Sequence, residues 1–104
     1  MKVVQTETFK DWFEGLRDRM AQNRILVRIG RLERGNFGDA KVFDGIRELR
    51  IPYGPGYRLY FMRRGEEVVL LLIGGDKSSQ RRDIARAKRL AREVNEDGRN
   101  DPAL

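Results

Sequence analysis

The chain contains no cysteine and no histidine. The first absence excludes disulfides and thiolate metal sites. The second removes the commonest general base and the commonest metal ligand. Any chemistry therefore rests on Arg, Lys, Tyr, Asp and Glu, and neither a metal nor a small-molecule cofactor is expected. Long apolar runs are missing too. The opening MKVVQTETF lacks the apolar core of a signal peptide, and no stretch approaches a membrane span. A cytoplasmic chain with no membrane partner is the expectation.

What the chain has in abundance is charge. Charged residues make up 37% of the 104 residues, with a net charge of +6. Such a balance favours an anionic partner, nucleic acid or an acidic protein, with plain solubility as the competing explanation. An apolar share of 39% suffices for one core, and a chain of this length has no room for a second. A single domain is expected over residues 1–95. The polar tail 96–104, with its Gly and Pro, is expected to fray.

Val3 and Val4 read as a short first strand. Thr8 followed by Asp11 matches a capping box. Phe9, Trp12, Phe13 and Leu16 then recur as one apolar stripe, which predicts a core-facing helix. Trp12 on that stripe reads as core rather than as a base-stacking platform. A second helix is predicted over Met20–Arg34, with Ile25, Leu26, Ile29 and Leu32 inside and Gly35 as its left-handed cap. Arg24, Arg28 and Arg31 line one flank, either as a solvated face or as a surface for an acidic partner. The two helices should form an antiparallel hairpin. The segment NFGDAKVFDG reads as a loop with one extended piece at most.

Three strands follow. In Glu48–Tyr53, Leu49, Ile51 and Tyr53 alternate with Glu48 and Arg50, and Pro52 marks an edge or an end. Gly54-Pro55-Gly56 makes the turn. In Tyr57–Arg64, Leu59 and Phe61 share one face, while Arg58, Tyr60 and Met62 share the other. If the first set packs on helices, Arg50, Arg58 and Tyr60 stand together on an uncovered face. Val68–Ile73 is apolar throughout, as in an interior strand. Gly74-Gly75-Asp76-Lys77 then leads to a helix capped by Ser78 or Ser79, with an Ile84, Ala87, Leu90, Ala91 and Val94 stripe. Arg82, Arg86 and Arg89 lie on one flank of it, with Arg81, Lys88 and Arg92 on another. GGDKSS is not a nucleotide-binding P-loop, because its glycines are misplaced relative to the lysine. Lys77 could nevertheless meet a phosphate held over Arg50 and Arg58.

The run ELRI…YGPGYRLYF…VVLLLIGGDKSSQRRDIARAK, in the order strand, helix hairpin, meander and basic helix, resembles the RelE/ParE superfamily of toxins. Within it the run is similar to the HigB-like branch, the addiction module killer proteins. The resemblance covers Thr8 to Val94. It implies an α+β, RelE-like fold: an N-terminal strand and helix hairpin packed on a mainly antiparallel sheet of about four strands, with a C-terminal helix. It further implies a type II toxin that a helix-turn-helix antitoxin neutralises. The implied activity is ribosome-dependent cleavage of mRNA, an mRNA interferase. On this resemblance Arg58, Lys77 and Arg50 are the catalytic candidates. Tyr60, Arg81 and Arg82 would bind RNA, and Arg24, Arg28 and Arg31 would bind the antitoxin. The tyrosine that RelE carries near its C-terminus has no counterpart after Tyr60. Two other readings stay open: a ParE-like toxin that poisons gyrase without RNA chemistry, and a degenerate relative that only binds an antitoxin.

Overall fold

A computed structural model describes residues 1–96; the expected tail falls outside the described residues from 97 onward. The architecture is α+β. Strand β1 (Lys2–Gln5) leads into α1 (Glu7–Glu14) and α2 (Arg19–Glu33). Strands β2 (Lys41–Phe43), β3 (Ile46–Ile51), β4 (Tyr57–Arg64) and β5 (Val68–Gly75) follow. A short 3₁₀ turn, Lys77–Ser79, precedes α3 (Gln80–Glu96). The sheet has five strands in the order β1-β5-β4-β3-β2, where about four were expected. The additional strand is β2, which pairs antiparallel along β3, Lys41 opposite Glu48. It lies within NFGDAKVFDG, as the one extended piece for which that loop left room. Strand β1 runs parallel to β5, and the remaining pairings are antiparallel.

The first helix begins earlier than the Thr8 pattern suggests. Thr6 is its N-cap, accepting from the Phe9 amide at 3.0 Å and donating to the Leu72 carbonyl at 2.7 Å. One hydroxyl thus caps the helix and ties it to β5. Asp18 caps α2 by accepting from the Met20 and Ala21 amides. Gly35 takes φ +78° just beyond its end, the left-handed position that suits glycine.

One face of the sheet receives the helix hairpin. Leu49, Ile51, Leu59, Phe61, Val69 and Leu71 pack there with Phe9, Ala21, Ile25, Ile29 and Leu32. Leu26, expected inside, is exposed instead: the buried stripe of α2 runs through Ala21, Ile25, Ile29 and Leu32. Trp12 belongs to this core, edge-on to Tyr57 with ring centroids 6.2 Å apart.

The opposite face is covered as well. Helix α3 brings Ala87 and Ala91, flanked by Ile84, Leu90 and Val94, against Ile46, Tyr60, Met62, Leu70, Leu72 and Ile73. Between Phe61 and Tyr60 the register skips a residue of β5, from Leu71 to Ile73. This bulge lets the consecutive Leu72 and Ile73 both join the α3-side core. The expectation of an uncovered face is therefore corrected.

Gly74 and Gly75 close β5 and let helices approach from both sides. A Cβ on Gly74 would sit 2.2 Å from the Trp12 ring, and one on Gly75 would sit 1.9 Å from Asp83 Oδ2. Both approaches lie far inside contact distance, so only a residue without a side chain fits. Glycines that read as a loop are strand residues chosen for what packs on them.

Candidate functional site

The catalytic candidates gather at one end of the sheet, on the α3 side. Register sets Arg50 opposite Arg58, and Arg58 opposite Gly75. The chain then passes through Asp76 to Lys77. The GPG turn folds back on this loop: the Lys77 amide lies 3.4 Å from the Pro55 carbonyl. Gly56 takes φ +79°, and its α-carbon faces the Lys77 side chain. Arg50, Arg58 and Lys77 thus lie on neighbouring segments.

Two arginines directly opposite on adjacent strands repel each other. Glu48 offsets the repulsion. Its side chain is fully enclosed, and every polar contact it makes is with a donor. Arg50 Nε donates to Oε1 at 3.2 Å, while Tyr60 Oη and Gln80 Nε2 each donate to Oε2 at 3.0 Å. Arg58 Nε stands 3.6 Å from Oε2, close enough for ion pairing but beyond a hydrogen bond. A carboxylate removed from water needs such compensation, and two guanidiniums with two neutral donors supply it. Sequence reading placed Glu48 only beside Arg50 on the polar side of its strand; its place at the centre of a buried cluster was missed. The available signal was its position two residues before Arg50 and on the same strand face.

Arg58 is 7% exposed. Its Nε and Nη1 are buried without a hydrogen-bond partner. Unmade bonds of this kind cost about 1–3 kcal/mol each, more where charge is involved. Nε faces Glu48 and both atoms are closed to solvent, so an oxyanion could take these charged donors only where the cluster opens. The field of Arg58 also helps to hold the Asp76 carboxyl below the ordinary range, behind the larger effect of the Ser78 hydroxyl bonded to it.

Tyr60 is corrected. It is fully buried, and burial first, then the Glu48 carboxylate, hold its phenol far above the usual value for tyrosine. Its ring is part of the α3-side core, so it offers no surface for stacking RNA bases. Arg50, Lys77, Arg81 and Arg82 are exposed. The last two open α3, next to Gln80, the residue that reaches Glu48. Serine does not cap α3 in the expected way. Asp76 caps the 3₁₀ turn, accepting from the Ser78 amide at 2.8 Å in a capping box with Ser79.

Arg24, Arg28 and Arg31 lie elsewhere, on α2 at the other face of the sheet. They line a groove with Val27, Ile51 and Pro52. Arg28 Nη1 donates to the Arg50 carbonyl at 2.9 Å, a bond that joins this row to the strand carrying Arg50. No group of His, Cys, Asp and Glu among the described residues could hold a metal ion. No helix among them is long and apolar enough to cross a membrane.

No family model matches the chain. A protein of Haemophilus influenzae, described as uncharacterized, is 48% identical over 95 residues, covering 90% of this chain and 96% of the relative. The chain belongs to the same family as that protein. Identity at this level over nearly the full length of both carries the fold across.

Proposed function

We propose that this chain is a RelE/ParE-type, HigB-like toxin of a type II toxin-antitoxin module, acting in the cytoplasm as a ribosome-dependent mRNA endonuclease. The observation that carries the reading is Arg58 set opposite Arg50 at the end of the sheet that leads to Lys77, with its Nε ion-paired to Glu48 and its Nη1 without a hydrogen-bond partner. RNA cleavage by its own 2′-hydroxyl forms the 2′-O–P bond and breaks the P–O5′ bond. Negative charge grows on the phosphorus-bound oxygens meanwhile. Preorganised guanidinium donors stabilise that charge, commonly the largest contribution to such a reaction. In this reading Arg58 meets the phosphorane, Arg50 and Lys77 flank it, and Arg81 and Arg82 hold the RNA backbone. The chain has no histidine, so the 2′-proton passes to water or to a ribosomal group, and a proton from the same surroundings reaches the 5′-oxygen as it leaves. The ribosome would supply much of the alignment, and a helix-turn-helix antitoxin would be the cognate inhibitor.

Burial of Arg58 favours a second reading, a toxin that binds gyrase in the manner of ParE and cleaves nothing. Induced expression with mapping of mRNA 5′ ends separates the two. The first reading expects translation arrest and in-frame cuts, with both lost in Arg58→Ala/Lys77→Ala. DNA-damage signalling with intact transcripts supports the second. A folded double variant that stays fully toxic removes this site from the mechanism.

A further inference from the structure

A second cationic cluster lies at the other end of the sheet, where β3 begins and β4 ends. Its floor is the Phe37 ring, half-buried in the loop between α2 and β2 and tilted against Phe61 with ring centroids 5.8 Å apart. Arg47 stands opposite Phe61 in the β3–β4 register, and Arg63 follows Phe61 by two residues along β4. Both side chains therefore take the face that carries Phe61. Their guanidiniums lie over the Phe37 ring, 5.4 and 5.1 Å from its centroid. Val42, opposite Arg47 on β2, is 65% exposed.

Like charges converge here without a counter-ion. No carboxylate among the described residues is within ion-pairing distance of Arg47 or Arg63. Elsewhere Glu48 serves Arg50 and Arg58, and Asp39 serves Arg28. Glu66 and Glu67, in the turn after β4, line a separate hollow with Met1 and Lys2. The ring quadrupole attracts each guanidinium and leaves its N–H edge free, yet it does not cancel their mutual repulsion. An anion held between the two N–H edges would.

We propose that Phe37, Arg47 and Arg63 form a binding site for single-stranded RNA, with a phosphate between the two N–H edges and the adjacent unpaired base stacked on a guanidinium face beside Val42. A guanidinium layered between a ring and a base uses both faces and its edge at once. A duplex keeps its bases stacked inside and offers such a site its backbone alone. An acidic peptide engages the edges and leaves the flat faces unused. The site is separate from the cleavage candidates. Arg63 is five residues along β4 from Arg58, roughly 16 Å at the usual strand rise, and on the opposite face of the sheet. One phosphate cannot serve both, so occupancy here requires no catalysis at Arg58.

The test uses the full chain and a fluorescein-labelled 2′-O-methyl oligouridylate of roughly ten nucleotides, within the site sizes of single-strand binders. Its methylated 2′-oxygen cannot attack phosphorus, so the probe reads binding apart from cleavage. Saturable anisotropy is expected, with shifts of the Phe37 ring and Val42 methyl resonances. Arg47→Ala/Arg63→Ala should weaken binding about tenfold or more, for loss of a stacked base and a phosphate contact. Arg47→Lys/Arg63→Lys should stay about fivefold or more weaker than the native chain, because charge returns without the planar faces. Arg89→Ala/Arg92→Ala, the same change in net charge at exposed α3 positions, should cost less than about threefold, since distant exposed charges are screened. Phe37→Leu keeps an apolar side chain against Phe61 and should also weaken binding; circular dichroism checks that every variant folds. Full rescue by the lysine pair, equal losses in the two alanine pairs, equal affinity for a duplex of the probe with its complement, tighter binding of an oligothymidylate, or displacement by an oligoglutamate peptide at lower concentration overturns the proposal. Arg58 and Lys77 are untouched in every variant, so a failure here leaves the cleavage reading standing, and uncut transcripts leave this binding result unchanged.

Discussion

The two faces of the sheet solve the same packing problem with different material. Against α1 and α2 the sheet presents aliphatic and aromatic side chains, and the helices answer with Phe9, Ile25 and Leu32. Against α3 it presents a mixture: Ile46, Met62 and Leu72, but also Glu48, Arg58 and Tyr60. The α3 side closes with Ala87 and Ala91, small enough for strand and helix to lie near each other. Burying a carboxylate and a guanidinium gives little net stability compared with apolar side chains of similar size. The α3 face thus buries charge at the expense of stability, while the hairpin face carries the fold.

The largest effects test that division directly. Phe61→Ala, on the hairpin face, should destabilise by about 3–5 kcal/mol through lost burial and a residual cavity. Glu48→Ala should cost a similar amount, about 3–5 kcal/mol, for another reason: it strands the buried Arg58 charge. The faces part in the rescue. Adding Arg58→Met to Glu48→Leu should recover most of the loss in denaturant unfolding, since an apolar pair replaces the charged one. If it recovers nothing, the cluster is a source of stability and the comparison fails.

Gly74 and Gly75 put both faces in one dipeptide. Gly74→Ala must displace the Trp12 ring, and Gly75→Ala must displace Asp83. Each should cost about 1–3 kcal/mol as overpacking. Asp83→Ala should suppress most of the Gly75→Ala penalty and none of that at Gly74. A double-mutant cycle on unfolding free energies reads the difference.

Much of the hairpin face was legible in the sequence. Alternation in Tyr57–Arg64 sends Leu59 and Phe61 to the same side, and helical spacing sends Phe9 and Trp12 to meet them. The α3 face was not legible in the same way. Alternation reports that Glu48, Arg58 and Tyr60 share a face, but not whether a helix covers it. Charged residues there read as solvated, because the covering helix and part of the compensation for Glu48, the Gln80 amide, come from a distant element. Gly74 and Gly75 misled for a related reason. Their necessity lies in Trp12 and Asp83, remote in sequence, while locally they resemble any loop. Arg50, Arg58 and Lys77 were brought to neighbouring segments as expected; Tyr60 was not available to a ligand, since its hydroxyl and ring are both enclosed.

Tyr60→Phe is a finer probe of the α3 face. It removes one donor to Glu48 Oε2 and should cost about 1.5–3 kcal/mol, the range for hydrogen bonds to a charged group. It should also change the alkaline limb of stability. The folded-state pKa of Tyr60 is raised, chiefly by burial, above the ordinary 10.0. Its contribution is therefore fully present below pH 10.0 and falls as pH rises toward the folded-state value. Unfolding free energy measured above pH 10.0 should decline less steeply in the phenylalanine variant.

Asp76 gives the smallest and most local effect, and its sign is opposite. The Ser78 hydroxyl bond first, then the amides of Ser78 and Ser79, lower its folded-state pKa below the ordinary 3.8. Stability from this cap is present above pH 3.8 and is lost as pH falls through the lowered value. Asp76→Ala should remove about 1 kcal/mol at neutral pH, as expected for loss of an N-cap. The change should appear as faster amide exchange at Ser78 and Ser79, with the β4 amides unaffected. Exchange that instead rises together across β4 and α3 would mean that the cap holds α3 on the sheet. Access to Arg58 would then depend on the same few bonds that start the helix.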